Sequence, residues 1–161
     1  MPTNQHKATA SKSTCTFIVA VLVLLIVSLF PVQAMATESL AVFSLNHDLK
    51  PLTKNKVRML FRGKTKKLQG KKVMLSDWPE QHTIRTEFYL QLLGKDNAQM
   101  NAHWASLSFS GKARPPKELN NDSMDELIMW LSENPSSIGY APLDMLPENA
   151  NVLYVVDKES K

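Results

Sequence analysis

An apolar run from Phe17 to Phe30, with Ser28 its only weakly polar member, divides the chain into a leader and a remainder. Only the remainder is free to build a folded core. Lys7 and Lys12 precede the run with no acidic residue among them, and Pro31 and the small-residue pattern Ala34-Met35-Ala36 follow it. A positive start, an apolar stretch and an A-x-A site are the marks of a secretory signal. The competing reading is an uncleaved membrane anchor. A helix of about 14 residues at ~1.5 Å each reaches roughly 21 Å, short of a hydrocarbon core of ~30 Å. A cleaved signal is therefore expected over residues 1–36, followed by one exported domain over residues 37–161.

All 15 Asp and Glu lie beyond Ala36, as do all the Lys and Arg except Lys7 and Lys12, which leaves that domain a net charge of about +2. Such a balance does not mark a nucleic-acid binder. The single cysteine, Cys15, lies in the leader without the preceding apolar stretch of a lipoprotein site. The expected domain thus has neither a disulfide nor thiol chemistry and must be held by its apolar core, which its length allows.

The patterning alternates strands with helices. Leu40 to Leu45 reads as a buried strand ended by Asn46-His47-Asp48. Thr53 is an N-cap for a helix whose apolar face is Val57, Leu60 and Phe61 and whose stop is Gly63. After the basic stretch Arg62 to Lys72, Val73-Met74-Leu75 reads as a strand and Ser76-Asp77-Trp78-Pro79 as the loop that ends it. Ile84, Phe88 and Leu92 recur at helical spacing, and Gly94 closes that helix. Asn97 to Phe109 is a second helix with Met100, Trp104 and Leu107 on one face. Gly111 to Leu119, with Pro115-Pro116, reads as a linker. Ser123 and Glu126 form a capping box for a helix that buries Leu127, Ile128 and Leu131 and stops at Asn134-Pro135. Ser137 to Tyr140 and Asn151 to Val156 are closing strands. The fold class expected from this order is a single layered α/β domain.

Signatures of catalysis are missing: there is no G-x-S-x-G, H-E-x-x-H, P-loop or G-x-G-x-x-G. His47, His82 and His103 share no spacing with carboxylates that would hold a metal. Asp77 and Glu80 resemble an acid/base pair without a nucleophile. A non-enzymatic protein without cofactor or metal is expected.

The segment from Asp77 to Thr83 runs from a strand end into a helix start, where backbone N–H groups and the positive end of the helix dipole favour an anion. Ser76, His82 and Thr83 add donors there, and Arg85 is a cation in the first helical turn. The competing reading has Thr83 capping the helix and Arg85 pairing with Glu80 or Glu87. The cluster Arg62, Lys64, Lys66, Lys67, Lys71 and Lys72 reads either as an electrostatic lure for anions or as a solvated loop. It lacks the interleaved aromatics of a single-strand binder, so no nucleic-acid partner is expected.

Several segments resemble one family in order along the chain. Val57-Arg58-Met59-Leu60-Phe61-Arg62-Gly63-Lys64 is similar to the IF-x-GK segment of the phosphate-binding proteins of phosphate ABC transporters. Asp77 with Thr83-Ile84-Arg85-Thr86-Glu87-Phe88-Tyr89 resembles that family's anion loop and helix. Trp104, then Phe109-Ser110-Gly111-Lys112 with Pro116, continues the likeness. Asn134-Pro135-Ser136-Ser137-Ile138-Gly139-Tyr140 resembles its NPGSIGY segment. The resemblance is collinear over about residues 40–142 and fits the family's short, stand-alone members.

It implies the fold of one lobe of a type 2 periplasmic binding protein and phosphate or a similar oxyanion as ligand. It also implies an ABC transporter or another envelope protein as partner. Ser76, Asp77, His82, Thr83 and Arg85 are the expected ligand-binding residues. Two departures matter. One lobe offers an open half-site, so burial of the anion calls for a homodimer or a partner. The family's Gly-Ser-Gly loop is replaced by Trp78-Pro79-Glu80-Gln81-His82, and Leu75 stands where an arginine is common. The alternative function is a ligand-free periplasmic scaffold that docks an envelope protein, for which exposed Trp78 and Pro79 would be the sign.

Overall fold

The computed structural model describes residues 39–156, so the signal expected over residues 1–36 lies outside the described residues. In chain order the elements are β1 (Leu40–Ser44), α1 (Lys54–Phe61), β2 (Lys67–Leu68), β3 (Lys71–Lys72), β4 (Met74–Asp77), α2 (Thr83–Leu93) and α3 (Asn97–Phe109). There follow β5 (Lys117–Glu118), α4 (Met124–Glu133), β6 (Ser137–Pro142), a 3-10 turn at Leu143–Met145 and β7 (Asn151–Val156).

Five strands form one mixed sheet in the order β5-β4-β6-β1-β7. Strand β4 is parallel to both β5 and β6, while β1 is antiparallel to β6 and β7. All residues of β1 and β6 are buried, as expected of strands covered on both faces. The covering follows from connectivity. The crossover from β4 to β5 and the next, from β5 back past β4 to β6, run in opposite directions. Right-handed crossovers of opposite direction leave their helices on opposite faces.

Neighbouring residues of β6 display the two faces. The Tyr140 ring stacks on Phe88 of α2 at 3.6 Å between centroids, and Phe61 of α1 meets both rings edge-on. Gly139 faces the other way, toward Leu127 and Leu131 of α4. Burial of each such side chain contributes about 1.5–3 kcal/mol, and among the described residues the core runs from Leu40 to Val156. Among the described residues no helix is long and apolar enough to cross a membrane.

Three local expectations need correction. The linker from Gly111 to Leu119 contains β5, which pairs Lys117 with Ser76 and Glu118 with Asp77. The basic stretch folds as the β2–β3 hairpin, turned by Gln69 and Gly70, both at positive φ. The capping box at α4 is open on one side. Ser123 Oγ accepts from the Asp125 N–H, and Glu126 reaches back beyond the cap to the loop, accepting from the Asn120 and Asn121 N–H groups and from Asn120 Nδ2. A hydroxyl one residue short of its expected donor frees the glutamate to bind the preceding loop.

Those bonds, the Asn120 N–H foremost, hold Glu126 below the ordinary value of 4.5. A depressed folded-state value adds stability that is present above the unfolded-state value and is lost as pH falls through the folded one. In acid titrations of stability, Glu126→Gln is therefore expected to flatten the loss below about pH 4.5. An unchanged acid limb would refute the assignment.

Gly63 ends the α1 region at φ 66°, and a Cβ there would stand 2.8 Å from the Trp104 ring. Gly63→Ala is thus expected to cost at least about 1 kcal/mol from backbone strain and overpacking, read by urea denaturation.

Candidate functional site

The helix following β4 lies on one face of the sheet and the helix following β5 on the other, so the chain direction switches at the C-terminal ends of these two adjacent strands. In open α/β sheets such a switch of direction is where ligands bind. Asp77 and Glu118 are register partners at that end, and the Leu119 N–H donates to the Asp77 carbonyl.

Asp77 is 4% exposed and its carboxylate is engaged on both oxygens. Oδ2 accepts from Tyr89 Oη at 2.7 Å and Arg85 Nε at 3.2 Å, and Oδ1 accepts from Tyr140 Oη. Burial pushes the Asp77 carboxyl above its ordinary value of 3.8, against the pull of Arg85, the two tyrosine hydroxyls and the Trp78 N–H. The same burial, with Asp77 alongside, raises both tyrosines well above 10.0. They act as fixed donors. One carboxylate thus ties β4, α2 and β6 together.

Arg85 is 5% exposed. Its Nη2 donates to Asn101 Oδ1 at 2.9 Å, and its Cζ lies 5.9 Å from the Tyr89 ring centroid. Nη1 is buried with no hydrogen-bond partner in the protein. A buried donor left unpaired costs about 1–3 kcal/mol. The pairing of Arg85 with Glu80 or Glu87 is corrected: its carboxylate is Asp77. Glu80 is held instead by α3, its Oε1 accepting from Asn101 Nδ2 at 2.5 Å and its carbonyl from Asn97 Nδ2 at 2.7 Å. Asn101 therefore bridges the loop and the guanidinium.

The N-cap of α2 is His82, not Thr83. Its Nδ1 accepts from the Ile84 N–H at 3.2 Å, and its ring stacks on Trp78 at 4.7 Å. Thr83 is the first helical residue and is exposed. Trp78 is 1% exposed, and its Nε1 donates to the Tyr140 carbonyl at 2.8 Å. The exposed Trp78 that would have marked a docking scaffold is absent. Ser76 does not join the others. Strand alternation turns its hydroxyl to the α4 face beside Gly139, where it donates to the Ile138 carbonyl at 3.5 Å. Asp77, His82, Thr83 and Arg85 share the β4–α2 junction. Tyr89, Tyr140 and Asn101 are its unforeseen members. Tyr89 alone had a sequence signal, lying one turn beyond Arg85 on the buried helix face.

Among the described residues no group of three His, Cys, Asp or Glu comes together. The basic hairpin stands before β4 begins, at the opposite end of that strand from Asp77, so it does not border this junction.

The chain shares the fold of solved layered α/β proteins. The chain is similar to an ABC-type phosphate transport receptor from Vibrio cholerae, with a TM-score of 0.55 and 13% identity over 72% of this chain and 45% of that one. It is similar as well to a candidate phosphate ABC transporter substrate-binding protein with bound phosphate from Clostridium perfringens, with a TM-score of 0.55 and 12% identity over 72% and 44% of the two chains. At such identities the likeness is one of fold, and the chain spans less than half the length of either solved chain. No protein-family model and no curated protein matches it.

Proposed function

We propose that the chain is an exported, non-enzymatic periplasmic domain that binds a small oxyanion, phosphate first, at the β4–α2 junction. The observation that carries this reading is Arg85, buried at the mouth of a strand-to-helix turn with Nη1 unpartnered. Arg85 Nη1, the Thr83 hydroxyl and the Thr83 and Arg85 N–H groups are the ligand donors in this reading, since His82 and the Ile84 N–H are committed to the cap. Asp77 does not touch the anion. It orients Arg85 and the two tyrosines, and Ser76 plays no part.

Because Asp77 already neutralises the guanidinium, binding to one lobe is weak, with a dissociation constant of roughly 0.1–1 mM. The solved phosphate-binding chains are more than twice the matched length, which supports closure of the half-site by a second copy or by an envelope partner such as an ABC transporter. The scaffold alternative draws support from the saturated Asp77 carboxylate alone.

Titration calorimetry of residues 37–161 separates the two. Phosphate-selective heat over a sulfate control is expected, and Arg85→Lys, which keeps the charge but loses the guanidinium fork, is expected to weaken it about tenfold. No heat at millimolar phosphate, or an unchanged affinity in Arg85→Lys, contradicts the reading.

A further inference from the structure

Between Lys50 and Lys72 the chain carries ten Lys and Arg and no Asp or Glu. This segment folds as α1 and the β2–β3 hairpin, and the hairpin joins β4 at the end of that strand away from Asp77. In the hairpin, Lys67 stands directly opposite Lys72, and both are exposed. Like charges facing across a ladder are destabilising. Lys71 Nζ approaches Asp48 Oδ2 at 3.8 Å, but those side chains are 66% and 80% exposed, and so open a pair offsets little. The exposed hairpin lysines therefore form a self-repelling group that an outside anion would relieve.

The array continues onto the end of α3. Gly63 abuts Trp104 and Ala113, Lys112 and Arg114 flank Ala113, and Phe109 just before them is 97% exposed. On the other sheet face, α4 and its approach carry Asp122, Asp125 and Glu133, all exposed. Glu80, Glu87 and Asp96 are exposed on the α2–α3 side as well, so the basic group is local to α1, the hairpin and the end of α3.

We infer that the face formed by α1, the β2–β3 hairpin and the end of α3 docks on a bilayer surface rich in anionic headgroups. An acidic polypeptide would be gripped best by arginine forks matched to carboxylates. The hairpin instead presents exposed lysines, which act as additive point charges at an anionic membrane. A phenyl ring beside a basic cluster supplies the apolar insertion that such surfaces reward. The acidic α4 face then points away from the lipid.

The test is co-sedimentation of residues 37–161 with vesicles of phosphatidylcholine alone or mixed with phosphatidylglycerol. Repeating the assay in excess inorganic phosphate at matched ionic strength, which occupies the oxyanion site, is expected to give the same binding and so separates the two sites. Binding is expected only with phosphatidylglycerol and is expected to fall steeply as salt is raised. Each lysine at such a surface multiplies the partition roughly fivefold, so the double variant Lys67→Glu, Lys72→Glu is expected to lose more than tenfold. Phe109→Ser is expected to lose severalfold while keeping the salt dependence. All three positions are exposed, so an unchanged near-ultraviolet spectrum verifies the fold of each variant. Equal binding to neutral vesicles, no binding, or wild-type binding by the double variant overturns the inference. Capture by polyglutamate that matches lipid binding and ignores Phe109→Ser overturns it as well, in favour of an acidic protein partner.

Discussion

Asp77→Ala is expected to destabilise the domain by about 3–5 kcal/mol, the cost of stranding a buried charge when its partner is removed. The variant leaves Arg85 Nε and the Tyr89 and Tyr140 hydroxyls without their acceptor among buried residues. At this size the loss corresponds to a fall in melting temperature of roughly 10–20 °C. Removing both charges with similarly shaped groups, Asp77→Asn with Arg85→Met, is expected to recover part of the loss, because a buried pair contributes less than the penalty for breaking it. The pH dependence has a definite sign. Burial raises the Asp77 value in the folded state, so the native state holds this proton more tightly than the unfolded chain does. The stability linked to Asp77 is present below the unfolded-state value and declines as pH rises through the folded one. Asp77→Asn lacks that decline. Scanning calorimetry at several pH values tests both statements, and an Asp77→Ala midpoint within about 3 °C of wild type would show that the carboxylate is not the hub described here.

Trp78→Ala has the next largest expected effect, about 3–5 kcal/mol by loss of a fully buried aromatic side chain. The indole fills the turn between β4 and α2, stacks on the capping His82 and donates to the carbonyl of Tyr140. Its removal is expected to loosen the α2 N-terminus as well as the sheet. Hydrogen exchange at Ile84, whose N–H is bound by His82, is expected to accelerate along with the global loss seen in urea. A variant with wild-type stability would mean that Trp78 is a surface residue, the condition under which the scaffold reading gains.

Much of the architecture was legible because local chemistry determined it. Gly63 and Gly94 both end helical segments at positive φ, Thr53 caps α1, and the bounds of α3 and β7 match their apolar patterning. The β2–β3 hairpin escaped because its strands are two residues long and mostly lysine, leaving no hydrophobic alternation to read. Strand β5 escaped for the same reason beside Pro115-Pro116, and with it the switch of direction between β4 and β5. The Asp77 cluster was half legible. Arg85 stood out as a cation misplaced in a first helical turn, but its partner was misjudged because nearby carboxylates were favoured over one on the adjoining strand. Tyr140 lies 63 residues from Asp77. Only the pairing of β4 with β6 brings them together, and that is a property of topology rather than of any local pattern.

The claim that the β4–α2 junction holds an oxyanion through Arg85 and the first turn of α2 is tested most directly by nitrogen-proton correlation spectra recorded during a phosphate titration. The account predicts saturable shifts at the Thr83, Ile84 and Arg85 amides and at the Arg85 side chain, with smaller shifts under sulfate. No shift at those groups in millimolar phosphate, or shifts confined to the lysines of the β2–β3 hairpin, would contradict it.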